Sequence, residues 1–327
     1  MNGKQYSNIT VIGTLPYYLP FPEKSFIHVN ELGKQEYFLS VSHFNPERPP
    51  NGFTGLNIDD RIGTYIRSKI ILQFSHDRNN YIEFIDAYYL QKLFKITNNF
   101  IDIARYYYND PTIRPITTFE ELIIRKELAH SQEIEESLAY LPGPYGVGIK
   151  LAINKDKSMR IAHSMRSGER INPARLLILD AKYHKDMYDF NRAILDMGIA
   201  LDIHIEWLLN YYSTVFPEYY ELVSEKNTIW DYYSTILFSA TGHKLEESEN
   251  LFANLEFIRA LRNSVAHEWK PSFNIQSVRK SKYLNIHKKR NMKIIDNKEQ
   301  TKEVIKFGIE ILDFTESLFR IKYENSQ

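Results

Sequence analysis

The sequence predicts two domains of different class: an α+β N-terminal half over residues 1–168 and an all-α helical C-terminal half over residues 169–327. Three observations lead there. Short β-prone runs at Ile9–Thr14, Phe26–Val29, Tyr37–Val41 and Ser68–Phe74 crowd the start of the chain. From Asn172 onward, apolar residues recur mainly at helical spacing. Between the two regimes, Ser167 to Pro173 is punctuated by Gly168 and Pro173, a composition that suits a boundary.

In the first half, the turn-rich stretch Asn45 to Gly52 separates β-prone runs. Tyr81 to Tyr108 reads as a long helix that stops near Asn109-Asp110-Pro111. Thr118 to Leu141 reads as a second helix, with Thr118 as cap and Glu121 as its capping-box partner. Leu141-Pro142-Gly143-Pro144 ends it, and Tyr145 to Ile153 then reads as a strand paired with Ser158 to His163.

The second half reads as helices over Arg175–Met187, Tyr188–Tyr212, Thr228–Thr241, Glu246–Trp269 and Lys298–Ile321, the first two separate or forming one bent helix. In the last, Val304, Phe307, Ile311 and Phe314 mark the buried stripe.

Chemistry concentrates in the fourth of these helices. Arg262-Asn263-Ser264-Val265-Ala266-His267 places an arginine, an amide and a histidine close to a helix end, a set suited to holding a phosphate and moving a proton beside it. At about 100° per residue, Arg262 and His267 lie about 140° apart. Arg259, Asn263 and His267 follow one another at i,i+4 and form one polar face, with Arg262 at its edge. Leu251, Leu255, Ile258, Val265 and Trp269 form an apolar stripe opposite. The same residues also suit a plain helix end, with a histidine capping carbonyls and an arginine in a surface ion pair.

The run Leu261 to His267 resembles the Arg-x4-His signature of the HEPN superfamily. The segment Ala193 to Asp202 is similar to an early helix of that family, with Asp202 where glutamate is commoner. The resemblance covers roughly the C-terminal half. It implies a helical bundle that dimerises so that two motif helices share one cleft. It also implies a metal-independent endoribonuclease that leaves 2′,3′-cyclic phosphate and 5′-OH ends. His267 would be general base or acid, Arg262 would bind the scissile phosphate and Asn263 would position groups, with Asp202 and Arg259 orienting them. Such proteins resemble bacterial phage-defence toxins that arrest growth by cutting RNA. Some members are non-catalytic modules that bind nucleotide, RNA or a protein partner, and that alternative stays open. The N-terminal half would then bind a trigger ligand, a substrate or another protein.

A second Arg-x4-His match runs from Arg125 to His130. Its gap holds Lys126 and Glu127, and acidic residues crowd its neighbours, which reads as a solvated helix face. After the motif helix comes a basic segment. Lys280, Lys282, Lys288, Lys289 and Arg290 suit a phosphate backbone, and the interleaved Tyr283 suits stacking on a base. A solvated loop is the alternative for that segment.

Composition narrows the remaining classes. The formal net charge is zero, so attraction to a polyanion must come from local clusters. There is no cysteine, which excludes disulfides, thiol nucleophiles and thiolate metal sites and fits a reducing cytoplasm. Asp59-Asp60 lacks a third ligand at a recognisable spacing, and no nucleotide-cofactor loop follows Gly146 to Gly148, so no metal and no cofactor are expected. No signal peptide and no apolar stretch long enough to span a bilayer is visible, so the expected setting is cytoplasmic, without a membrane partner.

Overall fold

A computed structural model describes residues 6–15, 19–23, 25–29, 37–44, 67–75, 85–116, 119, 121–128, 133–140, 153–223, 227–278, 281–290 and 294–326. The chain divides into two units, Met1–Arg170 and Ile171–Gln327. The boundary expected after residue 168 lies two residues before that division.

The first unit is built on a six-stranded antiparallel sheet. Its strands are β1 (Tyr6–Thr14), β2 (Phe26–Val29), β3 (Tyr37–Phe44), β4 (Arg67–Ser75), β5 (Glu121–Leu128) and β6 (Ile134–Tyr140), in the spatial order β2-β3-β4-β1-β5-β6. One face is apolar because every second residue faces inward. Ile9 and Val11 of β1, Leu39 and Val41 of β3, Ile70 and Leu72 of β4, and Leu122 and Ile124 of β5 are all buried. Helix α1 (Ile85–Tyr108) contributes to this core, with Tyr89 against Phe74 at 5.0 Å between ring centroids and Phe100 edge-on to Phe21 at 5.1 Å.

Two expectations for this half are overturned. Thr118 to Leu141 is not a helix where it is described: Glu121–Leu128 and Ile134–Tyr140 are paired strands. Residues 121–128 alternate in burial with a period of two, a pattern that the charges obscure in the sequence. Those charges pair across strands rather than along a helix, as Arg125 with Glu136 at 2.7 Å and Glu121 with Lys69 at 3.1 Å. Arg125 is therefore a strand residue, while His130 lies outside the described residues. Ser158 to His163 is not a strand but part of α2 (Lys155–Ser167). The Asn154 side chain caps that helix by accepting from the Lys157 N–H, and Gly168 ends it in the left-handed conformation, φ 65°. The expected turn at 45–52, the segment 141–152 and Asp59-Asp60 lie outside the described residues.

The second unit is helical. Helices α3 (Pro173–Asp186) and α4 (Phe190–Tyr212) are separate, α3 starting with Asn172 as its cap and Pro173 in its first turn. Short helices α5 (Tyr219–Leu222) and α6 (Ile229–Asp231) follow. A π-helical turn at Tyr232–Ile236 leads into α7 (Leu237–Thr241). Then come α8 (Glu249–Glu268), α9 (Leu284–Arg290) and α10 (Lys298–Glu324). Thr228 caps α6 through a capping box with Asp231, which starts this stretch at the position the sequence suggests. The core is shared by α4, α8 and α10 through Ile194, Leu201, Leu208, Ile258, Leu261, Ile311 and Leu312.

A polar network crosses that core. His204 is fully buried, its Nδ1 3.0 Å from Asn172 Nδ2 and its Nε2 2.7 Å from Thr315 Oγ1. Asn172 presents its amide nitrogen to the ring because its oxygen caps Ala174 N–H at 3.0 Å. The ring is therefore the neutral tautomer with the proton on Nε2, and burial pushes its pKa down to about 3. Among the described residues, no helix is long and apolar enough to cross a membrane.

Candidate functional site

Helix α8 carries the motif. Its inward face is apolar, with Leu255, Phe257, Ile258, Leu261 and Val265 buried. Trp269 leaves the stripe in which the sequence places it. It is the left-handed residue that ends the helix, at φ 51°, and it is 63% exposed. Its N–H still closes the last turn on the Val265 carbonyl at 2.9 Å, and its own carbonyl accepts from Asn191 Nδ2 at 3.0 Å. Ser264 ties down the following chain, donating to the Lys270 carbonyl at 2.7 Å and lying 2.7 Å from the Ser272 hydroxyl.

Arg262 points across to α4. Its Nη2 donates to Asp202 Oδ2 at 2.9 Å and its Nη1 to Asn263 Oδ1 at 3.2 Å. Burial raises the Asp202 pKa, and the two nearby arginines, Arg262 and then Arg259, oppose that shift. The helices can approach closely enough for this because α4 carries Gly198 directly beneath the Arg262 side chain.

Arg259 follows a different course. Its guanidinium lies over the Trp230 ring at 4.7 Å from the centroid. Among the described residues, its side chain forms no ion pair within 4.0 Å. Burial lowers its pKa, Asp202 opposes that change and Arg262 adds to it.

The structure thus brings Arg262, Asn263, Asp202 and Arg259 together. It does not bring His267 to Arg262. His267 is exposed in the last turn of α8, and its ring makes no hydrogen bond among the described residues. Five residues of helix separate the two by about 7.5 Å along the axis as well as by their angle. The plain helix-end reading is realised in one respect, the Arg262–Asp202 ion pair.

The basic segment contains a helix that the sequence reading omits. α9 packs on the N-terminal part of α8's polar face. There, His287 Nε2 lies 2.9 Å from Glu256 Oε2 and Ser281 donates to the same oxygen at 2.6 Å. Glu256 and Asn263 are seven residues apart and share that face. Lys282, Lys288 and Lys289 are exposed. Lys280 and the side chain of Arg290 lie outside the described residues. Tyr283 is not available to stack on a base: it is 4% exposed, its ring packs on Phe252 and its hydroxyl donates to the Glu246 carbonyl at 3.1 Å. Tyr283 carries no charge, unlike its basic neighbours, and its ring is buried by packing on Phe252.

Sequence reasoning missed Trp230 and Gly198. Trp230 belongs to no motif, and Gly198 lies in the segment Ala193 to Asp202 without a role assigned to it there; each matters through a neighbour distant in the chain. Among the described residues, no group of three His, Asp or Glu side chains is arranged to hold a metal. No family model, curated protein or solved structure matches this chain.

Proposed function

We propose that the C-terminal unit is a HEPN-type domain and that the protein is a metal-independent endoribonuclease, acting in bacterial phage defence or growth arrest as a homodimer through that unit. The observation that carries this reading is that α8 holds an oriented arginine and amide, Arg262 and Asn263, and presents an exposed histidine, His267, one turn on from Asn263.

In the proposed reaction, the ribose 2′-oxygen attacks the adjacent phosphorus and loses its proton to a base. The bond from phosphorus to the 5′-oxygen breaks, and that oxygen takes up a proton. His267 serves as base or acid, since an imidazole can do either near neutral pH. Arg262 and Asn263 hold the phosphate oxygens as charge builds on them. The second copy's motif helix completes the cleft. The exposed Lys282, Lys288 and Lys289 draw the RNA backbone to the neighbouring surface, and the N-terminal unit receives the trigger.

Purified protein incubated with total bacterial RNA in excess EDTA is expected to produce fragments with cyclic phosphate and 5′-OH ends. Cutting only with added Mg²⁺ or Mn²⁺, or equal cutting of DNA, which lacks the attacking hydroxyl, defeats the proposal. The alternative is a non-catalytic module binding nucleotide, RNA or a protein partner. What favours it is that Arg262 is already engaged by Asp202. It predicts RNA binding without fragments.

A further inference from the structure

The cluster between α4, α6 and α8 holds two guanidinium cations, Arg259 and Arg262, against one carboxylate, Asp202. Asp202 makes its short contact to Arg262 alone, and among the described residues neither arginine has another carboxylate within 4.0 Å. One positive charge is therefore left over, on side chains that are partly withdrawn from water. Arginine stays charged under all ordinary conditions, so the imbalance cannot be relieved by losing a proton. An incoming anion relieves it.

Arg259 is also held ready for that anion. A free arginine side chain carries considerable rotamer entropy, which it loses on binding. Here the Trp230 ring takes one face of the guanidinium at 4.7 Å, and Trp230 is in turn packed on Phe252 at 5.5 Å. Its position is set by α6, which Thr228 caps, and by the π-helical turn that follows directly. Along α8, Arg259 precedes Asn263 by one turn and His267 by two, on the same face, whereas Arg262 lies at its edge.

We infer that Arg259, laid on Trp230, is a second anion-binding arginine of this face and contacts a backbone phosphate of single-stranded RNA. Trp230 is its positioning residue. This rests on the reading that the α8 face handles RNA. It makes Arg259 a residue that touches the ligand rather than one that orients Arg262, and it sets the direction of the strand along α8 between the basic α9 and His267.

The test is fluorescence anisotropy of the full chain with a labelled single-stranded 2′-O-methyl RNA, which has no free 2′-OH and is not cut, over a series of KCl concentrations. Arg259→Gln is expected to raise Kd about tenfold and to lower the slope of log Kd against log salt by about one, as loss of one phosphate contact does. Arg259→Lys keeps the charge but not the flat stack, so Kd rises while the slope stays. Trp230→Leu should behave like Arg259→Lys, and Trp230→Phe, which retains a ring face, should lie nearer the wild type. Wild-type Kd and slope in Arg259→Gln, or no binding of the oligonucleotide by the unmodified protein, overturns the assignment. RNA cutting in EDTA is scored separately. Cutting together with wild-type binding by Arg259→Gln defeats the Arg259 assignment alone. Binding that depends on Arg259 without any cutting defeats the ribonuclease reading alone.

Discussion

Gly198 of α4 and Arg262 of α8 touch so closely that the glycine position has no room for a side chain. A Cβ there would stand 2.7 Å from Arg262 Cβ and closer still to Cγ. The arginine's stem crosses α4 at its one bare position and turns toward Asp202 a helical turn further on. Gly198→Ala should therefore swing Arg262 off Asp202 or push the helices apart. Overpacking of this kind costs about 1–3 kcal/mol. Urea unfolding is expected to show a loss in that range, together with a fall in RNA cutting larger than the lost fraction of folded protein explains. Wild-type stability and activity in Gly198→Ala would show that α4 and α8 yield easily and that the close fit has no bearing on Arg262.

His267→Ala and Arg262→Ala should each reduce cutting by roughly two orders of magnitude or more, the scale expected for a proton-transfer group or a phosphate-binding donor. His267 is exposed and makes no hydrogen bond among the described residues, so its replacement should leave the melting temperature unchanged. Arg262 is about a third exposed in its pair with Asp202, and a pair so open to solvent is worth at most about 1 kcal/mol. His130→Ala is the control and should cut normally. Loss of cutting in His130→Ala with retention in His267→Ala would move the site out of the C-terminal unit.

A cleft built from two motif helices requires two copies. Light scattering on the full chain should give twice its 38.7 kDa mass, consistent with the commonest twofold assembly. A monomer that cuts RNA at full rate would rule out the shared cleft.

The buried His204 should make the stability of the second unit depend on pH. Folded, its pKa is pushed down to about 3 from an ordinary 6.5. Between those values the unfolded chain binds a proton that the folded ring refuses, so this contribution to stability is complete above pH 6.5. It is lost as the pH falls toward 3, by at most about 5 kcal/mol over the whole window. Asp196 and Asp202 have raised pKa values and act in the opposite sense, so the effect must be read as a difference. Comparing urea unfolding of the wild type and His204→Gln at pH 7 and pH 5, the gap between them should narrow at the lower pH. A gap that stays constant would mean that His204 takes up its proton in the fold as readily as in the unfolded chain.

The four β-prone runs before residue 76 and the long helices of the second half, α3, α4, α8 and α10, were legible in the sequence because each has its own local period, two or about 3.6, whereas the short α5 and α9 were not. The polar face of α8 was legible for the same reason, since Arg259, Asn263 and His267 follow from helix geometry alone. Residues 121–140 were not. Their charges fit a helix as well as a strand, and only pairing of Val11 with Ile124 and of Arg125 with Glu136 decides between the two. Trp269 fits the apolar stripe by number, yet the chain turns left-handed there and carries it out to solvent. Asp202 under Arg262, Gly198 beneath its stem and Trp230 against Arg259 lie 60, 64 and 29 residues away from their arginine partners. The sequence by itself thus determined the elements with a strong local period and the residue types on one face of α8. The tertiary structure alone decided which charge is neutralised and which is left over, because charge and steric contact act through space and not along the chain.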